Sequence, residues 1–64
     1  MTDLPKAGSV WYRGLLMRRV WAVRVDGVEI IEWAENYRTK RFEPTEDWLA
    51  WQQGATCVDD GGGE

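Results

Sequence analysis

The chain has 64 residues, a net charge of −3, no His and a single Cys. One Cys excludes an intrachain disulfide, and with no His it argues against a structural zinc site. The lack of His also removes Ser-His-Asp and Cys-His nucleophilic centres. A non-enzymatic protein with no cofactor and no metal is expected.

So short a chain allows one domain and buries only about 60% of its unfolded surface. Chains below roughly 70–80 residues need a staple. Five Trp, two Tyr and one Phe supply large apolar rings for this purpose, and self-association is the other route, so a homodimer is among the expected states. No apolar run reaches the ~18–20 residues that a membrane span needs. The start, MTDLPKAGS, lacks a basic-then-apolar leader pattern. With no disulfide framework, the expectation is a cytoplasmic protein with no membrane contact. Charge is unevenly spread. Residues 1–42 carry every Lys and Arg and sum to +3, whereas residues 43–64 carry six acids and no base. Such a split serves solubility and internal pairing, or shields a basic binding face.

In chain order, residues 1–8 read as a flexible N-terminus punctuated by Pro5 and Gly8. Residues 9–13, SVWYR, form a short strand that Gly14 breaks. Residues 15–17 are a connector or the start of the next strand. Residues 18–25 and 28–33 flank Asp26-Gly27, a strong hairpin signal because a type I′ turn needs φ > 0 at both positions. A two-residue turn there pairs Val25 with Val28, Arg24 with Glu29, Val23 with Ile30 and Trp21 with Glu32. One face then holds Trp21, Val23, Val25, Val28 and Ile30. The other holds Val20, Ala22, Ile31 and Trp33 beside the Arg24–Glu29 pair.

Residues 37–42, YRTKRF, form a fourth strand with Arg38 and Lys40 on one face and Thr39 and Arg41 on the other. Such basic runs suit a sheet edge. Pro44 ends the sheet. Thr45 is a candidate N-cap, with Glu46 and Asp47 in the first turn of a helix over residues 46–53 and Gly54 as its stop. Two turns of helix cannot stand alone and must lay Trp48 and Leu49 on the sheet. Residues 55–64 read as an acidic, Gly-rich disordered tail, and its lone thiol, Cys57, as inert beside two acids. The fold class is mainly β with one short C-terminal helix. It forms a small, partly open antiparallel barrel or four-stranded meander over residues 9–54.

The segments AGSVWYR, RRVWAVRVDGVEIIEW and RTKRFEPTEDWLAW resemble the small SH3-like barrel proteins of bacteriophages and mobile elements. The resemblance covers residues 7–53. It implies a small viral or mobile-element accessory protein and no specific activity, since such barrels host many functions.

Trp21, Trp33 and Trp48 occupy positions where strand or helix spacing places core. Trp11 and Trp51 remain for contact. Trp11, Tyr12, Arg13 and Trp51 are therefore the candidate protein-binding residues, because aromatics beside Arg form interface hot spots. A host protein is the first expected partner, bound and inhibited. The alternative is nucleic acid, held by Arg18, Arg19, Arg38, Lys40 and Arg41 with neighbouring rings for stacking. The net charge of −3 weighs against it, since nucleic-acid modules show a basic excess.

Overall fold

A computed structural model describes residues 4–61. It contains β1 (Val10–Arg13), β2 (Leu16–Arg24), β3 (Gly27–Ala34), β4 (Tyr37–Pro44), α1 (Thr45–Gln53) and β5 (Thr56–Asp59). All five strands pair antiparallel in one open sheet of order β4-β3-β2-β1-β5. This is mainly β with one short helix, consistent with a small SH3-like, partly open barrel.

The tail assignment over residues 55–64 is corrected by β5. Residues 56–59 add a fifth strand, pairing Tyr12 with Thr56, Trp11 with Cys57 and Val10 with Asp59. All four side chains, Val58 included, are exposed, so no buried face marks the strand. Backbone pairing, which composition does not report, holds them. In the N-terminal segment expected to be flexible, residues 1–3 lie outside the described residues. Next to them the Gly8 N–H donates to the Val20 carbonyl at 2.5 Å, and the buried Ser9 hydroxyl donates to the Lys6 carbonyl at 2.6 Å. Residues 62–64 of the expected tail also lie outside the described residues.

The central hairpin is present in a different register. Arg24 pairs with Gly27 and Val23 with Val28, so Val25-Asp26 form the turn. Among the described residues no non-Gly residue has positive φ, and Gly27 is not among the positive-φ glycines. The turn is therefore not centred on Asp26-Gly27. Gly27 is needed for closeness instead: a Cβ there would lie 2.3 Å from the Glu43 carbonyl oxygen and 2.6 Å from the Phe42 ring. The first hairpin does use left-handed backbone, with φ +64° at Gly14. That is the conformation a two-residue turn opening on Gly requires.

A second shift comes at Trp21. Ala22 pairs with Glu29 but Val20 pairs with Ile30, leaving Trp21 as an extra residue in β2. Such a bulge reverses which side chains face which side of a strand. Val20 and Arg18 turn inward beside Val28, Ile30 and Glu32, while Trp21 and Arg19 turn outward. The expected core places for Trp21 and Trp33 are corrected accordingly: Trp21 is 43% exposed. Trp33, paired with Met17 and Arg38, lies half-buried on the same outer side.

The inner face is covered by α1. Val20, Val28, Ile30 and Trp48 are fully buried, with Trp11, Leu49 and Trp51 packed around them. Trp11 meets Trp48 edge-on at 5.9 Å, and Trp51 lies tilted at 5.2 Å from it. Three indoles fill this side, so a fourth would overpack it. That is a physical reason for the bulge to send Trp21 out. Thr45 does not cap the helix: Pro44 holds that position without a side-chain bond, and the Thr45 N–H donates to the Asp26 carbonyl at 3.3 Å. Glu46 and Asp47 do sit in the first turn.

Two outcomes check this packing. Trp48→Ala should cost about 3–5 kcal/mol in chemical denaturation, as a large-to-small core change. Ending the chain after Ala55 removes β5 and should lower Tm by roughly 4–8 °C for each kcal/mol of pairing lost. An unchanged Tm would show that β5 does not hold the sheet edge.

Candidate binding face

The two sides of the sheet differ in chemistry. The inner side carries a buried ion cluster beside the apolar core. The Arg18 Nε donates to Glu32 at 2.8 Å and its Nη2 to Glu43 at 3.1 Å, joining β2, β3 and β4. Arg18 is 6% exposed and Glu32 2%. Arg41 reaches the same carboxylates from the rim, at 3.6 Å from Glu32 and 3.4 Å from Glu43. The Tyr37 hydroxyl donates to Glu32 at 2.5 Å. The Trp51 ring covers the Arg18 guanidinium at 4.4 Å. Arg18 and Arg41, two of the nucleic-acid candidates, are thus committed to internal carboxylates.

Burial opposes the charge on Glu32, but the Tyr37 hydroxyl and the Arg18 and Arg41 guanidinium groups outweigh it and hold the pKa below the ordinary value. The Glu32 carboxylate, which accepts the Tyr37 proton, pushes that phenol's pKa up.

The outer side is open. Cross-strand rows place Tyr12, Met17, Trp33 and Arg38 in one line, and Arg19, Ile31 and Lys40 in the next. Trp21 and Phe42 extend the surface toward the turn end, both more than two-fifths exposed. Lys40 Nζ stands 5.9 Å from the Trp21 ring centre and the Arg38 guanidinium 5.7 Å from that of Trp33. Arg19, Arg38 and Lys40 have no carboxylate partner among the described residues. Glu29, paired with Ala22 and Phe42 on this side, is held by Arg24. At the far end Tyr12, Leu15, Met17, Trp33, Ala34 and Glu35 line an open hollow of about 560 Å³.

The four protein-binding candidates are divided by this geometry. Tyr12 lies on the open face. Trp11 and Trp51 pack against Trp48 on the inner side. Arg13 donates to the Trp51 carbonyl at 3.4 Å. Of the five basic candidates, Arg19, Arg38 and Lys40 come together on the open face. Trp21 and Trp33, which strand spacing alone places in the core, complete that surface. A signal for Trp33 is present: a two-residue turn at Glu35-Asn36 pairs Trp33 with Arg38 and Ile31 with Lys40, so two of the three basic residues of YRTKRF, Arg38 and Lys40, share a face with Trp33.

Comparisons with protein-family profiles, curated proteins and solved structures give no match. Among the described residues no group of three His, Cys, Asp or Glu is placed to hold a metal ion. Among the described residues no helix is long and apolar enough to cross a membrane.

The sign of the Glu32 shift sets an acid limit. Its contribution to stability is fully present above the ordinary Glu value of 4.5 and is lost as pH falls through the lowered folded value. Urea unfolding followed from neutral to acid pH should show a steep loss below that point, and Glu32→Gln should flatten it. Tyr37 behaves oppositely: its contribution holds below about pH 10 and fades as pH rises through the raised value. In a Tyr12→Phe background, phenolate absorbance should report Tyr37 ionising above about 10, and Glu32→Gln should bring it back down.

Proposed function

We propose that the protein acts by binding rather than catalysis, and that its docking surface is the open sheet face. One observation carries this reading. Trp21, Trp33, Tyr12 and Phe42 stay at the surface on the side that α1 does not cover, interleaved with three cations that lack internal partners. Exposed large rings beside Arg are the composition of interface hot spots, and an apolar patch of this kind on so small a domain marks an interaction site. The lack of His in the chain supports the non-catalytic half of the proposal.

Two partner classes suit such a face. The alternation of rings and cations favours a polyanion with flat apolar groups. The hollow between Tyr12, Met17 and Trp33 favours an apolar side chain of a host protein, which the chain, as an accessory module of the phage type, would bind and inhibit.

The face assignment is tested before the partner is known. Immobilised protein captures its partners from cell extract, and two double variants are compared with it. Arg38→Glu/Lys40→Glu reverses charge on the open face and should reduce capture more than about tenfold, the size of loss expected when contacts central to an interface are removed. Glu46→Lys/Asp47→Lys alters the helix side and should leave capture intact. The reverse ordering would move the docking surface to the helix.

A further inference from the structure

We propose that the open face binds single-stranded nucleic acid, with Trp21 and Trp33 stacking bases and Arg19, Arg38 and Lys40 neutralising phosphates. The inference rests on the reading of that face as the docking surface and names its partner. Each ring has its own cation: Lys40 at 5.9 Å for Trp21, Arg38 at 5.7 Å for Trp33. These cations are two residues apart on β4, about 6.8 Å along the strand, so two ring-and-cation stations follow one another across the sheet. Arg19 flanks them from β2, opposite Ile31 and Lys40. A flat ring beside a phosphate-reaching cation, repeated, is what a sequence-tolerant single-strand site needs, because every base has a π face. A duplex hides those faces.

The net charge of −3 does not oppose this. Glu32 and Glu43 are buried under the helix and paired with Arg18, and Glu46 and Asp47 lie in the helix's first turn. Those four acids thus lie on the side away from the open face, while Glu29 on that face is held by Arg24 and Glu35 stands at its far end. The exposed Glu46 and Asp47 repel a polyanion on the helix side and orient its approach to the cations. The same complementarity disfavours a symmetric dimer through the open face, which would set three cations against three.

The test titrates a labelled oligothymidylate of roughly 12 nucleotides, within the range of single-strand sites on small barrels, into the full chain. Anisotropy and tryptophan emission are followed together. Emission should be quenched. Affinity should fall with salt at a log–log slope of about −2, from three cations at about −0.7 each. The single strand should bind at least about tenfold more tightly than a duplex of the same length, because only unpaired bases can stack. Trp21→Ala and Trp33→Ala should each weaken binding by roughly 5- to 150-fold. Arg38→Gln and Lys40→Gln should each flatten the slope by about 0.7. Glu46→Gln should change neither, and circular dichroism should show every variant folded. Equal affinity for duplex, wild-type binding by both Trp variants, or no binding at about 50 mM salt would overturn the inference. If the oligonucleotide fails while phosphatidylserine vesicles or a nuclease-resistant protein are held, and Arg38→Glu/Lys40→Glu releases them, nucleic acid falls and the open face stands. If that variant releases nothing, both readings fall.

Discussion

The extra residue at Trp21 decides what each side of this protein is made of. Without it, the register that begins at Arg24 and Gly27 would run on, and Trp21 would pair with Ile30 under the helix. With it, Val20 takes that place and is fully buried. The small aliphatic core then closes around Trp48, and Arg18 rather than Arg19 meets Glu32. A bulge costs a local break in the ladder. Here it is offset by removing an indole from a space already holding Trp48 with Trp11 and Trp51 beside it, where overpacking would cost typically 1–3 kcal/mol.

The ion cluster next to that core is a second consequence. A buried salt bridge is weak evidence of net stability, because desolvation offsets much of the attraction. Removing one partner from such a cluster is a different matter and leaves a charge stranded. Arg18 holds carboxylates from β3 and β4 while Trp51 of the helix covers it. The cluster therefore favours one register of three strands and one seating of α1 over their neighbours. Every buried side-chain polar atom among the described residues has a partner, as a specifying network requires.

Much of the β architecture was legible because its signals are local. Turn residues mark each hairpin, alternation in YRTKRF sorts the edge strand into two faces, and Pro44, the two acids and Gly54 bracket the helix. Trp48 as the helix's core residue follows from the same local reading. Register was less legible, because Asp26-Gly27 suggests a turn by composition while Gly27 serves the close approach of β4. The bulge has no local marker at all: it reflects how many rings the inner side can hold, which only the assembled sheet determines. The candidate site inherited that gap. The apolar pattern puts Trp21 and Trp33 in the core, and charge alone puts Arg18 among the candidate nucleic-acid contacts. Period-two spacing sets Glu32 on the face of Val28 and Ile30, but only the assembled sheet shows it buried against Arg18.

The two-sided sheet depends on the bulge at Trp21. Nuclear Overhauser contacts across the central hairpin test it directly. Cross-strand backbone contacts should pair Val23 with Val28 and Val20 with Ile30, with Trp21 unpaired between them. An unbroken register, with Trp21 opposite Ile30 and Arg19 opposite Glu32, would contradict it and return Trp21 to the core.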